Sequence, residues 1–101
     1  MLQRDGANLV AAVRLASEDG VLVLRTMVVA EGSQRRGIGA RLLQRASRAI
    51  GDRECYCIAW SYLESFYGRA GFRPITAAAL PLHLSVRVGD GLIAMRREAR
   101  R

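Results

Sequence analysis

The chain has 101 residues, a mass of 11.1 kDa, half of its residues apolar, and a formal net charge of +7 with a pI near 11.0. That length fits one small domain over residues 1–101, near the lower limit for a self-sufficient core. All 16 basic residues are arginine, which excludes a Schiff-base lysine and a phosphate loop of the Walker type. No apolar run approaches the length of a membrane span, and "MLQRDGANL" has no apolar signal region; a cytoplasmic protein without a membrane partner is the expectation.

In chain order, residues 1–8 read as a lead-in. Two strands follow, Leu9 to Leu15 and Val21 to Val29, joined by a turn around Ser17 to Gly20 in which Asp19-Gly20 is a strong hairpin signal. From Ile38 the apolar residues Ile38, Leu42, Leu43, Ala46, Ala49 and Ile50 mark one helical face. Arg41, Gln44, Arg45, Ser47 and Arg48 lie opposite, and Gly51 is a natural stop.

"ECYCIAW" reads as a short buried strand with Cys55 and Cys57 on one face. Two thiols with the single His83 do not make a zinc site, so no metal is expected; buried structural thiols are the expectation, with a redox role the alternative. In "SYLESFYGRAGFRP", Ser61 and Glu64 form the pattern of a capping box. Leu63, Phe66, Tyr67 and Ala70 mark the apolar face of a short helix that Gly71 ends, and Phe72 to Pro74 leaves extended. "ITAAALPLHLSVRVGDG" reads as a helical turn or loop broken at Pro81. "LIAMRR" closes the chain as a strand, with residues 97–101 a basic tail expected to be disordered. The order β-β-α-β-α-β predicts an α/β (α+β) fold: a mixed sheet with a right-handed βαβ unit at its centre.

The segment "SQRRGIG" lies where a strand enters a helix, and the free first-turn amides and the dipole of that helix favour an anion. Gly37 and Gly39 allow close approach to the backbone, and Arg35 and Arg36 add positive charge. A dinucleotide fingerprint would need a third glycine where Leu42 stands. The arginine excess fits a phosphorylated ligand, a nucleic acid or an acidic surface, and equally arginines that fill solvated positions. Against a nucleic-acid module, the arginines are spread along the chain and the few aromatics are not interleaved with them.

"QRRGIG" fits the pattern Gln/Arg-x-x-Gly-x-Gly/Ala, and "FYGRAGF" follows about thirty residues later. From about Leu9 to Arg97 the chain resembles the GCN5-related N-acetyltransferase (GNAT) superfamily. The resemblance implies acetyl-CoA as co-substrate, with its pyrophosphate held at Gln34, Arg35, Arg36, Gly37, Ile38, Gly39 and Ala40. It implies a pantetheine arm bound by the backbone of Met27, Val28 and Val29, one amide of which polarises the thioester carbonyl. Tyr67 would protonate the leaving sulfur, for which a phenol of ordinary pKa about 10 is suited. Read without the resemblance, Tyr67 is a core aromatic beside Phe66, a residue also placed at the cofactor. Glu31 and Glu54 are candidate bases, unless the amine arrives neutral and none is needed.

Two departures stand out. Many relatives carry an asparagine that contacts the pantetheine or its entry where this chain has Trp60, so at this cofactor-binding position the contact is replaced or lost. Relatives also open with a strand and two helices that wall the acceptor site, where this chain has its lead-in. The wall would then come from a second copy (a homodimer), from another chain, or from the segment around His83. The implied function is transfer of an acetyl group to a small-molecule or peptide amine by direct attack in a ternary complex. The alternative is a non-catalytic coenzyme A-binding domain. The positive charge favours neutral or acidic acceptors over polyamines.

Overall fold

The computed structural model describes residues 2–5, 8–29 and 37–100. Six strands form one sheet in the order β1-β2-β3-β4-β6-β5: β1 (Leu2–Asp5), β2 (Asn8–Glu18), β3 (Val21–Val29), β4 (Cys55–Trp60), β5 (Arg73–Ile75) and β6 (Leu92–Arg97). Among the described residues only β3 and β4 pair in parallel, across the helix α1 (Ile38–Ile50); every other pairing among them is antiparallel. Two short helices, α2 (Glu64–Gly68) and α3 (Leu82–Ser85), and 3-10 turns at Ser61–Leu63 and Ala77–Ala79 complete the described elements.

The β2–β3 hairpin closes on Glu18↔Val21 through Asp19 and Gly20, whose φ angles are 49° and 81°. Positive φ at both central residues is the two-residue turn whose twist matches the flanking strands. Alternation along the strands then divides the core. Leu24, Cys55, Cys57, Ala59 and Met95 face α1 and α2, packing on Leu42, Leu43, Ala46, Ile50, Tyr67, Ala70 and Phe72. Val23, Tyr56 and Ala94 face the other way and are covered by Leu80 and Leu84. Pro81 caps α3, so the break expected there separates two helical turns.

Several local expectations are corrected. The lead-in holds a strand: β1 pairs with β2 from Leu2↔Ala12 to Asp5↔Asn8. The capping box does not form, because the turn begins at Ser61 itself, with Trp60 as its cap and the Ser61 amide bonded to the Gly91 carbonyl at 2.8 Å. Ala49 is exposed, since the buried stripe of α1 runs through Leu42, Leu43, Ala46 and Ile50. Arg97 is no part of a free tail. It ends β6 in a buried position, with Nη1 donating to the Ser47 carbonyl at 3.1 Å, and the Arg100 amide bonds the Asp52 carbonyl at 2.9 Å.

Candidate functional site

The parallel pairing of β3 with β4 is confined to Val23↔Tyr56 and Leu24↔Cys57, although β3 runs on to Val29 and β4 to Trp60. Beyond Leu24 the two strands part. At the same place the β2–β3 register passes from Arg14↔Arg25 to Ala12↔Val28, two residues on one strand against three on the other. The extra residue therefore lies on β3 at positions 26–27, a bulge that takes a backbone amide out of the ladder. A gap between neighbouring parallel strands, edged by unpaired backbone groups, can admit an extended ligand that completes the hydrogen bonding itself. Met27, Val28 and Val29 lie on the β3 side of this gap.

Helix α1 begins beside it in sequence. Its cap, Gly37, has φ 70° and ψ 12°, the left-handed region, and a Cβ there would meet nothing within 4 Å. The first intrahelical bond runs from the Arg41 amide to the Gly37 carbonyl at 3.1 Å, so the amides of Ile38, Gly39 and Ala40 have no partner within the helix. No acidic residue occupies the first turn to offset the dipole. The helix end is positively polarised, with first-turn amides that the helix itself does not satisfy. A cavity of about 250 Å³ adjoins it, lined by Ala40, Arg41, Leu43, Gln44, Ser47, Arg69 and Ala70 from α1 and the turn after α2. Gln34, Arg35 and Arg36 of the glycine loop, and the candidate base Glu31, lie outside the described residues.

Tyr67 projects from α2 onto the sheet face that carries Cys57, the β4 residue at which pairing with β3 ends. Its ring is buried edge-on between Phe66 and Phe72, with centroids 5.2 and 6.3 Å away. Burial first, and then the neighbouring Cys57, push its hydroxyl above the usual phenol range. Among the described residues no hydrogen bond engages that hydroxyl. Burial also raises the thiols, Cys55 to about 11 and Cys57 to about 12, so both are neutral structural groups.

Glu54 is not brought to Tyr67. It is exposed, precedes β4 at the end away from Trp60, and interacts with the Tyr56 hydroxyl and Arg96, on the opposite side of the sheet. Strand alternation separates Glu54 and Tyr56 from Cys55 and Cys57, a signal present in the sequence. Trp60, half-exposed at the end of β4, stacks on Tyr62 at 6.5 Å and covers Gly91.

On the α3 face of the gap stands a cluster that the sequence did not announce. Arg25 holds Glu18 through Nε at 2.7 Å and Nη2 at 3.4 Å, and Arg87 Nη1 lies 3.6 Å from the same carboxylate. Period-two alternation puts Glu18 and Arg25 on one face, but Arg87 reaches them only because α3 folds across the sheet. Among the described residues no group of three or more metal-ligating side chains occurs, and no helix is long and apolar enough to cross a membrane.

A family model described as an acetyltransferase (GNAT) domain matches residues 2–74. No curated protein matches the sequence. Among solved structures, N-acetylglutamate synthase from Neisseria gonorrhoeae, complexed with coenzyme A and N-acetyl-glutamate, superposes with a TM-score of 0.80 at 18% identity, covering 99% of this chain and 25% of that one. Escherichia coli ElaA gives 0.78 at 24% identity over 96% of this chain and 66% of its own. An acyl-CoA N-acyltransferase from Pseudomonas aeruginosa gives 0.73 at 28% identity over 95% and 65%. The chain thus spans a quarter of the first of these proteins and about two thirds of the other two.

Proposed function

The chain belongs to the acetyltransferase (GNAT) domain family, and from that premise we propose that it transfers the acetyl group of acetyl-CoA to a primary amine. The observation that carries this reading is the parting of β3 and β4 after Leu24↔Cys57, with a bulge on β3 and Tyr67 beside it. The residues present fit the co-substrate. The amides of Ile38, Gly39 and Ala40, without partners within the helix, and the left-handed Gly37 suit a pyrophosphate. The backbone of Met27 to Val29 offers hydrogen bonds to an extended arm, and one amide freed at the bulge can polarise a carbonyl. Arg41 and Arg69, at the cavity between α1 and α2, supply positive charge toward the nucleotide end. Proteins of the same fold that are complexed with coenzyme A support a coenzyme A ligand for this chain.

Acetyl-CoA supplies an activated acyl group; the protein supplies position and a proton. The acceptor nitrogen bonds to the acyl carbon as the carbon–sulfur bond breaks. Tyr67, kept protonated by burial, gives its proton to sulfur and regains one through solvent from the acylated amine. Glu54 has no part in this scheme.

Calorimetric titration with acetyl-CoA tests the reading, on the parent protein and on Gly37→Glu. Glutamate at φ 70° costs about 1–2 kcal/mol of strain and places a carboxylate where the pyrophosphate is to sit, so binding should vanish while a thermal melt still reports a folded protein. Gly37→Asn, which accepts the left-handed conformation, controls for backbone strain. A folded parent that does not bind acetyl-CoA overturns the proposal. Binding without turnover of any amine leaves a coenzyme A-binding domain in its place.

A further inference from the structure

The sheet face opposite α1 and α2 carries its own cavity at the gap. It measures about 170 Å³ and is lined by Val23, Leu24, Arg25, Ile58, Leu84 and Arg87. Val23 and Leu24 are the last β3 residues paired to β4, so this cavity opens at the point where the strands part. A donor held on the α1 side with its acyl group in the gap would present that group here. We infer that the acceptor bound in this cavity is a small amine bearing a carboxylate, held by Arg25 and Arg87; the inference rests on the acetyltransferase reading above.

The charge balance supports it. Two guanidinium groups share the single carboxylate of Glu18, Arg25 as a hydrogen-bonded pair and Arg87 as a looser ion pair at 3.6 Å. Arg14 stands directly across from Arg25 in the β2–β3 register. The next carboxylate, Asp19, is exposed and lies 3.6 Å from His83. Among the described residues positive charge is therefore in excess at the cavity. The Arg87 guanidinium makes no hydrogen bond to a described residue, so its donors are open to a ligand. A carboxylate matches that planar fork and can be bound by two parallel hydrogen bonds.

The same charges serve the reaction. The attacking amine must be neutral, and nearby cations disfavour its protonated form. A polyamine would meet net repulsion, whereas an α-amino acid pairs its carboxylate with Arg87 and places its amine nearby. The apolar remainder of the cavity, Val23, Leu24, Ile58 and Leu84, limits acceptors to small ones. The amine nitrogen bonds to the acyl carbon as the carbon–sulfur bond breaks, the sulfur takes the proton of Tyr67, and the proton lost by the acylated amine returns to Tyr67 through solvent.

The test is release of free thiol from acetyl-CoA with alanine and glutamate, their carboxamides, and spermidine as acceptors. The free carboxylates should exceed the carboxamides in kcat/KM by about 10-fold or more, the scale of hydrogen bonds to a charged group. Arg87→Gln should erase that preference, mainly through KM, with acetyl-CoA affinity by calorimetry unchanged, and Arg87→Lys should restore part of it. Carboxamides or spermidine equalling the carboxylates, or their turnover where no carboxylate is turned over, overturns this inference alone. Acetyl-CoA binding without turnover of any acceptor overturns the acetyltransferase reading as well. Failure to bind acetyl-CoA overturns the acetyltransferase reading and this inference with it.

Discussion

Replacing Tyr67 with phenylalanine separates chemistry from packing at the proposed proton donor. The tyrosine ring is held edge-on by Phe66 and Phe72 at 5.2 and 6.3 Å, and phenylalanine keeps both contacts. The hydroxyl is bonded to no described residue, so its loss leaves no partner stranded. Stability should therefore change by less than about 1 kcal/mol, or less than about 4–8 °C in Tm for a domain of this size. Activity should respond very differently. Losing a general acid typically costs about 10²- to 10⁴-fold, equivalent to about 3–5 kcal/mol of transition-state stabilisation at 1.36 kcal/mol per tenfold. The assay is thiol release from acetyl-CoA at saturating acceptor, beside a thermal melt and an acetyl-CoA titration. The buried Cys55 and Cys57 should contribute little background in the folded protein. Because burial raises the phenol, the parent should show no loss of rate from Tyr67 ionisation below about pH 10. Turnover by Tyr67→Phe within about threefold of the parent would refute the assignment, since so small an effect lies well below the range for a lost general acid. Tyr67→Ala would be a poor substitute, because removing a buried ring costs about 3–5 kcal/mol by itself.

The two thiols make stability depend on alkaline pH. Each is raised from an ordinary value of 9.0, Cys55 to about 11 and Cys57 to about 12, so above pH 9 unfolding releases protons that the folded state keeps. Stability from this source is complete below pH 9 and should fall from there to about pH 11–12, by up to about 1.4 kcal/mol per pH unit for each thiol. Urea melts at pH 8 and pH 10.5 on the parent and on a Cys55→Ala, Cys57→Ala double variant check this, the variant losing less over the interval; equal losses refute it. Leu84→Ala, which empties a fully buried position beneath α3, should cost about 2–5 kcal/mol and raise the acceptor KM without altering the acetyl-CoA Kd. A parallel loss of acetyl-CoA affinity would show that α3 is not confined to the acceptor face.

What the sequence determined by itself is what short-range periodicity encodes. Asp19-Gly20 specified the hairpin because both residues tolerate positive φ. The spacing of Leu42, Leu43, Ala46 and Ile50 specified the buried stripe of α1, and the alternation in "CYCIAW" put both thiols on one face. The glycine at the head of α1 was legible for the same reason, since only a residue without a Cβ sits there freely. Features that depend on a partner far along the chain were not legible. Strand β1 is four residues without a resolvable period and exists through its pairing with β2. The capping pattern at Ser61 lost to a bond its amide donates to the Gly91 carbonyl, and Arg97 is buried because the end of α1 offers it the Ser47 carbonyl. The candidate site has the same division. Tyr67 and Gly37 stand in recognisable local patterns, but the place where β3 leaves β4 follows from register across the sheet. The meeting of Arg87 with Glu18 and Arg25 follows from α3 crossing the opposite face. Local patterns fix which way a side chain points; only the packed sheet decides which charges share a cavity, because long-range pairing is set by the sum of all the contacts and not by any one segment.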